Sequence, residues 1–153
     1  METNIEELEL IFRDATLSDI AEIEAIEREA FSDPWSANAF SETIEREEME
    51  FVVCTDGKSI LGYFVLGSAL DEGELMTIAV RPGYRGYGIG HKLIDELKIR
   101  AKARGLAVIF LEVRVSNEPA RALYRSVGFI QVGIRREFYR FPTEDAIVGR
   151  LEL

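Results

Sequence analysis

Residues Arg85-Gly86-Tyr87-Gly88-Ile89-Gly90 lie between an apolar, strand-like run, Leu75–Val80, and an amphipathic segment that continues to Arg104. Glycine at alternate positions lets the main chain approach an anion closely, and the start of the following helix supplies unpaired N–H donors and partial positive charge. The chemistry this spacing supports is capture of a phosphate-bearing cofactor. A nucleoside triphosphatase loop would close on Gly-Lys-Ser or Gly-Lys-Thr to meet phosphate and magnesium, whereas this one closes on Gly90-His91-Lys92-Leu93. A dinucleotide fold would place G-x-G-x-x-G directly after its first strand. Here the glycines run G-x-G-x-G and five residues, Arg81–Arg85, intervene. Glu112, at a suitable distance for a ribose ligand, keeps that alternative open.

The loop needs a strand behind it and a helix ahead of it, and the hydrophobic pattern supplies both. Leu8–Arg13 alternates weakly and reads as a first strand, followed by a helix over Asp19–Phe31 with Thr16 or Ser18 as its N-cap. In that helix Ile20, Ile23, Ile26, Ala30 and Phe31 form an apolar stripe, with Glu22, Glu24, Glu27 and Glu29 facing elsewhere. Beyond Pro34, Ser36 caps a second helix reaching about Glu47. Glu50–Thr55, a turn at Asp56-Gly57, and Ser59–Leu70 read as an antiparallel hairpin, and Asp71–Gly73 turns the chain into the strand Glu74–Val80. After the glycine loop, Leu93, Ile94, Leu97 and Ala101 recur at helical spacing and Gly105 stands at the left-handed stop. Val108–Val113 is a strand, Asn117–Val127 a helix with Pro119 in its first turn and Gly128 as its stop, and Ile130–Arg136 and Asp145–Leu151 are the last strands. Hairpins first and helical crossovers later predict an α/β (α+β) fold: a mixed, mostly antiparallel sheet of seven strands with four helices on both faces.

At 153 residues and 47% hydrophobic content the chain suits one domain spanning residues 1–153. A net charge of −10 argues against direct nucleic-acid binding and favours a cationic partner. The single cysteine, Cys54, cannot form an internal disulfide or a metal cluster, and in Phe51-Val52-Val53-Cys54 it reads as a small buried hydrophobe. No metal is expected. The acidic start, Met1 to Leu10, lacks the layout of a secretion signal, and the longest apolar stretch, Ile60–Leu70, is too short to span a bilayer. A soluble, cytoplasmic protein without a membrane partner is the expectation.

The stretch from Ile78 to Gly90 resembles the acetyl-CoA motif R/Q-x-x-G-x-G/A of the GCN5-related N-acetyltransferases. Asn117-Glu118-Pro119-Ala120-Arg121-Ala122-Leu123-Tyr124-Arg125-Ser126-Val127-Gly128-Phe129 is similar to that family's second cofactor segment, N-x-x-A-x-x-L-Y-x-x-x-G-F, and the predicted element order matches the family's fold. Within the family the resemblance is nearest to the members that acetylate the N-terminal alanine of the eighteenth small-subunit ribosomal protein. It rests on residues 30–36, on Leu111 to Asn117, and on Ile134-Arg135-Arg136 through Glu144-Asp145-Ala146-Ile147. The chain departs from the family where paired tyrosines become Phe138-Tyr139 and where Arg140–Thr143 is short. Both changes fall where the family binds its acceptor.

The resemblance implies acetyl-CoA as co-substrate, direct transfer in a ternary complex, and a basic protein N-terminus, such as that of a ribosomal protein, as acceptor. Main-chain donors along Gly86, Tyr87, Gly88, Ile89 and Gly90 would hold pyrophosphate, with Arg81, Arg85 and Lys92 adding positive charge that suits the phosphates. Ile78, Ala79 and Val80 would hold pantetheine where the family splays two parallel strands at a bulge, and Asn117 would serve both as helix cap and as cofactor contact. A peptide amine is mostly protonated at neutral pH, so the reaction needs a base, and a proton must reach the departing sulfur. Glu112, on the strand face shared with Val108 and Phe110, is the expected base, and Tyr124 the expected acid. Trp35 and Tyr139 are expected to wall the acceptor slot, with Phe31 in the core and His91 an exposed spectator. A small-amine acetyltransferase, acting on a polyamine or aminoglycoside, and a non-catalytic acyl-CoA sensor remain the alternatives.

Overall fold

The structure, a computed structural model, describes residues 9–153. In chain order its elements are β1 (Ile11–Asp14), α1 (Ile20–Ala30), α2 (Ala37–Ile44), β2 (Met49–Thr55), β3 (Ile60–Ala69), β4 (Glu72–Val80), α3 (Ile89–Ala103), β5 (Val108–Arg114), α4 (Glu118–Ser126), β6 (Ile130–Tyr139) and β7 (Glu144–Glu152). The strands form one seven-stranded sheet in the order β1-β2-β3-β4-β5-β7-β6. Every neighbouring pair is antiparallel except β4 with β5, which are parallel as a helical crossover requires. The expected start of β1 at Leu8 lies outside the described residues.

Local chemistry sets the element ends. A single 3-10 turn, Leu17–Asp19, leads into α1, and the Asp19 carboxyl accepts from the Thr16 backbone N–H at 2.8 Å and from both ends of the Arg13 guanidinium at 2.7 and 2.9 Å. Those donors, Arg13 first, hold its pKa below the usual carboxylate range. Ser36 caps α2 by accepting from Ala39 N–H at 3.1 Å. That helix stops at Ile44 rather than Glu47, because Arg46 and Met49 donate to Thr43 and Arg46 carbonyls and turn the chain into β2. In the β2–β3 hairpin Asp56 accepts from Lys58 and Ser59 N–H groups, with Gly57 at φ +93°.

The sheet divides the core in two. On one face α3 and α4 cover Leu61, Phe64, Leu66, Ile109 and Leu111, with Leu93, Ile94 and Leu97 fully buried between. On the other, α1 and α2 cover Phe51, Val53, Tyr63 and Val65, with Phe40 packing on Trp35, Phe51 and Tyr63 at ring separations of 5.2, 5.4 and 5.8 Å. Cys54 is fully buried in the first of these, where burial pushes its thiol up to about 11.

Two expectations for α1 need correction. Phe31 is not core: it is the residue after the last helical turn, extended in backbone and 37% exposed. Glu27 does not face outward: it is 2% exposed and lies in the apolar stripe. Its position, four residues after Ile23 and seven after Ile20, puts it on the buried face by helical geometry, whatever its polarity.

Gly62 in β3 lies directly beneath α3. A Cβ built there would stand 2.9 Å from the Ala79 carbonyl oxygen and 2.9 Å from Leu93 Cδ1, and one at Gly133 would meet nothing within 4 Å. Gly62→Ala should therefore destabilise the fold by about 1–3 kcal/mol through overpacking, while Gly133→Ala should stay within about 0.5 kcal/mol, both read from urea-denaturation midpoints.

Candidate active site

β4 and β5 pair for three residues only, Glu72 with Val108, Gly73 with Ile109 and Glu74 with Phe110. Beyond that point β4 stays paired to β3 through Val80, and β5 pairs with β7 through Arg114. The register of β3 against β4 shifts where Leu66 faces Leu75 and Val65 faces Thr77, leaving Met76 as the extra residue of a bulge. A cleft therefore opens between two parallel strands, and the β5-facing main chain of Ile78, Ala79 and Val80 has left the parallel ladder.

At the mouth of this cleft stands the glycine loop. Gly83, Gly86 and Gly88 all have positive φ, between +82° and +88°, and Gly88 is the N-cap of α3. In that region an L side chain is strained, and glycine is the residue that fits. Cβ atoms at Gly86 and Gly88 would meet nothing within 4 Å, so the loop surface is open. The first intrahelical bond of α3 runs from Lys92 N–H to Gly88 carbonyl at 3.2 Å, which leaves the N–H groups of Ile89, Gly90 and His91 as donors of the first turn. These are suited to a phosphate.

The loop's arginines both have partners within the protein. Arg85 donates through Nε to Val80 carbonyl at 3.0 Å and through its guanidinium to Glu29 at 2.8 Å, and Arg81 donates to Ile60 carbonyl at 2.5 Å and to Glu22. Both are bound back onto strand ends and α1, so they brace the loop instead of standing free over it. Among the described residues Lys92, exposed in the first turn of α3, is the loop cation outside any ion pair. Tyr87 is exposed at 58%, and His91 is exposed with its Nε2 2.9 Å from Ser126 Oγ, joining α3 to α4.

Asn117 caps α4 by accepting from Ala120 N–H at 3.2 Å. A Cβ at Gly90 would lie 3.0 Å from Leu123 Cδ2, so glycine there lets α4 come against the start of α3. Tyr124 follows Leu123, its ring edge-on to Phe129 at 5.7 Å and packed on the α3 side of the core. Burial, with a contribution from Tyr139, raises its pKa, so Tyr124 keeps its proton far above neutral pH.

Glu112 occupies the opposite face of β5, on the wall of a groove of about 390 Å³ that also involves Met76, Phe110, Glu74 and Arg135. Its pKa is raised, first by burial and second by the neighbouring Glu74 carboxyl, with Arg135 acting against them. The ion pair to Arg135, 3.2 Å long, does not restore an ordinary carboxylate, because the arginine is 59% exposed and its charge is screened by water. Tyr139 is pushed up to about 12, by burial first and by Glu112 second, and stacks under the Arg114 guanidinium at 4.6 Å. Tyr139 on β6 is thus the electrostatic neighbour of Glu112 on one side and of Tyr124 on the other, while Glu112 and Tyr124 belong to opposite faces of β5.

Trp35 lies in the adjoining α1–α2 loop, half-buried, with its backbone N–H donating to Glu27 Oε2 at 3.0 Å. Glu27 Oε1 accepts from Tyr63 hydroxyl at 2.8 Å and from Thr77 hydroxyl at 2.7 Å, at the bulge of β4. This buried network went unread in the sequence, as did Arg114. The signals are spacing alone: Glu27 within an apolar helical stripe, and Arg114 two residues after Glu112 on one strand face.

Residues 20–129 match the sequence model of the Acetyltransferase (GNAT) family. The chain is 38% identical over 132 residues to the ribosomal protein bS18-alanine N-acetyltransferase of Escherichia coli, covering 84% of this chain and 87% of that one. It is 39% identical over 122 residues to the N-alpha-acetyltransferase RimI of Mycobacterium tuberculosis, covering 77% and 75%. The crystal structure of the Escherichia coli ribosomal-protein-S18-alanine N-acetyltransferase superposes with a TM-score of 0.86 at 33% identity, covering 94% of each chain.

The two charges acting on Glu112 oppose each other, so they are separable. Glu74→Gln should lower the Glu112 pKa and Arg135→Ala should raise it further, read by carbon-13 NMR titration of the carboxyl resonance; unchanged titration in both would remove these neighbours as causes.

Proposed function

The chain belongs to the acetyltransferase (GNAT) family, and from that premise we propose that it is a peptide N-terminal α-amino acetyltransferase of the RimI kind, using acetyl-CoA and acting on a ribosomal protein terminus beginning with alanine. The observation that carries the reading is a desolvated carboxyl, Glu112, beside the point where β4 and β5 part, with Tyr139 as its protonated neighbour and Tyr124 beyond Tyr139.

Acetyl-CoA supplies the acyl group in activated thioester form. The open glycine surface and the first-turn N–H groups at Ile89, Gly90 and His91 suit its pyrophosphate, and the freed main chain of Ile78, Ala79 and Val80 suits its amide-bearing arm. An acceptor amine titrating near about 8 carries a proton at neutral pH in roughly nine molecules of ten. Glu112 removes that proton, and its raised pKa brings it nearer the amine's own than an ordinary glutamate would be. Tyr124 holds a proton for the sulfur that leaves. Asn117 combines its capping bond with a contact to the cofactor, and Trp35 and Tyr139 wall the slot through which the terminus enters. The net charge of −10 suits a basic acceptor such as a ribosomal protein.

Thiol release should occur with a free-amine Ala-Arg-Tyr peptide and vanish when that amine is blocked. Turnover of small amines alone would replace the acceptor class. Glu112→Gln should lower kcat/KM about a hundredfold or more at pH 7, with the deficit shrinking as pH rises and the amine deprotonates unaided. A constant deficit across the pH range would exclude a base.

A further inference from the structure

We propose that Arg114 is a positioning residue for the acceptor: it fastens the loop after α1 to the β6–β7 turn and sets the Tyr139 ring between them. Its guanidinium donates to four oxygens. One nitrogen reaches Pro142 carbonyl at 2.9 Å and Glu144 Oε1 at 3.2 Å, and the other reaches Ser32 hydroxyl at 3.1 Å and Arg140 carbonyl at 2.6 Å. The same group lies 4.6 Å from the centre of the Tyr139 ring.

The partners belong to two walls, Ser32 to the segment after α1 and Arg140, Pro142 and Glu144 to the β6–β7 turn. Ser32 stands in the segment that leads to Trp35, and its hydroxyl also lies 3.5 Å from Arg140 carbonyl. Arg140 and Pro142 flank Phe141, whose φ of +57° an L residue rarely adopts. Donation to the carbonyls on both sides of Phe141 holds the turn in that conformation. Glu144 completes the assembly by accepting from Ser116 N–H at 2.6 Å and Ser116 hydroxyl at 2.9 Å, which anchors the turn to the segment between β5 and α4. Arg114 leaves β5 on the face of Glu112, two residues on, so the strand that carries the base also carries the clamp. With its side chain 21% exposed, the clamp is largely shielded from solvent. A planar fork with a stacking face meets these demands together, and an ammonium does not.

The inference rests on Trp35 and Tyr139 walling the acceptor slot, and the experiment separates the two. Amide hydrogen exchange on the free protein compares wild type with Arg114→Lys and Ser32→Ala, without needing turnover. Arg114→Lys should speed exchange in residues 31–36 and 140–143 together, and Ser32→Ala should do so more weakly in the same two segments. In steady-state kinetics with the free-amine peptide, Arg114→Lys should raise peptide KM about tenfold and leave acetyl-CoA KM within about twofold. Faster exchange confined to 140–143, or equal rises in both KM values, would overturn the clamp. Wild type that turns over no peptide while the two segments still respond together would overturn the acceptor reading and leave the coupling standing.

Discussion

The parting of β4 from β5 after Glu74 and Phe110 is the constraint on which the site depends. Parallel strands ordinarily continue side by side, because main-chain groups left without partners inside a protein are costly. Here the departure is supported from the other side. β4 remains paired to β3 as far as Val80, and Arg81 N–H extends the contact to Leu61 carbonyl at 2.7 Å. β5 remains paired to β7 along its whole length. Each wall of the cleft is thus held by its outer neighbour, and the inner main chain stands outside the parallel ladder. The bulge at Met76 adds local twist at the point where the walls must diverge.

Electrostatics follows the same geometry. The carboxyls of α1 bind the loop's arginines, Glu22 to Arg81 and Glu29 to Arg85, so a helix on one face steadies a loop that opens toward the other. Both pairs are partly exposed, and their worth lies in geometry more than in stability. The main-chain N–H groups of the first turn of α3 keep their partial positive charge in an acidic protein, because they point along the helix axis and need no counter-ion of their own. Glu112 is treated in the opposite manner. It sits among Phe110, Met76 and a second carboxyl, surroundings that favour its neutral form and so raise its basicity.

The elements are legible in the sequence wherever a local rule decides them. Ser36 caps α2, Asp56-Gly57 turns the hairpin, and Asn117 and Gly128 bound α4. The glycine loop and the carboxyl of β5 are legible because residue type and spacing constrain them. What escapes is decided by partners far along the chain. Phe31 reads as core from its own apolarity, but the helix ends one residue before it and turns it outward. Arg85 reads as positive charge beside the loop, but its pairing with Glu29, fifty-six residues earlier, is invisible to local spacing. Arg114 shows nothing by itself, since its partners lie at Ser32, Arg140, Pro142 and Glu144.

Glu27 shows why such a group is retained inside a core that apolar residues could fill. Three donors converge on its carboxyl, from the Trp35 backbone, the Tyr63 hydroxyl and the Thr77 hydroxyl. Removing the acceptor would strand three buried donors at once, each costing on the order of 1–3 kcal/mol, far more than the net value of any one bond. A leucine of similar size would pack but would leave the Trp35 N–H and the bulge of β4 without a common partner. Hydrophobic contact is indifferent to register, whereas these bonds specify which residue of the α1–α2 loop faces which residue of β4. The loop carrying Trp35 is thereby tied to the strand that opens the cleft, so the wall proposed for the acceptor and the strand proposed for the cofactor keep one geometry through a single buried carboxyl.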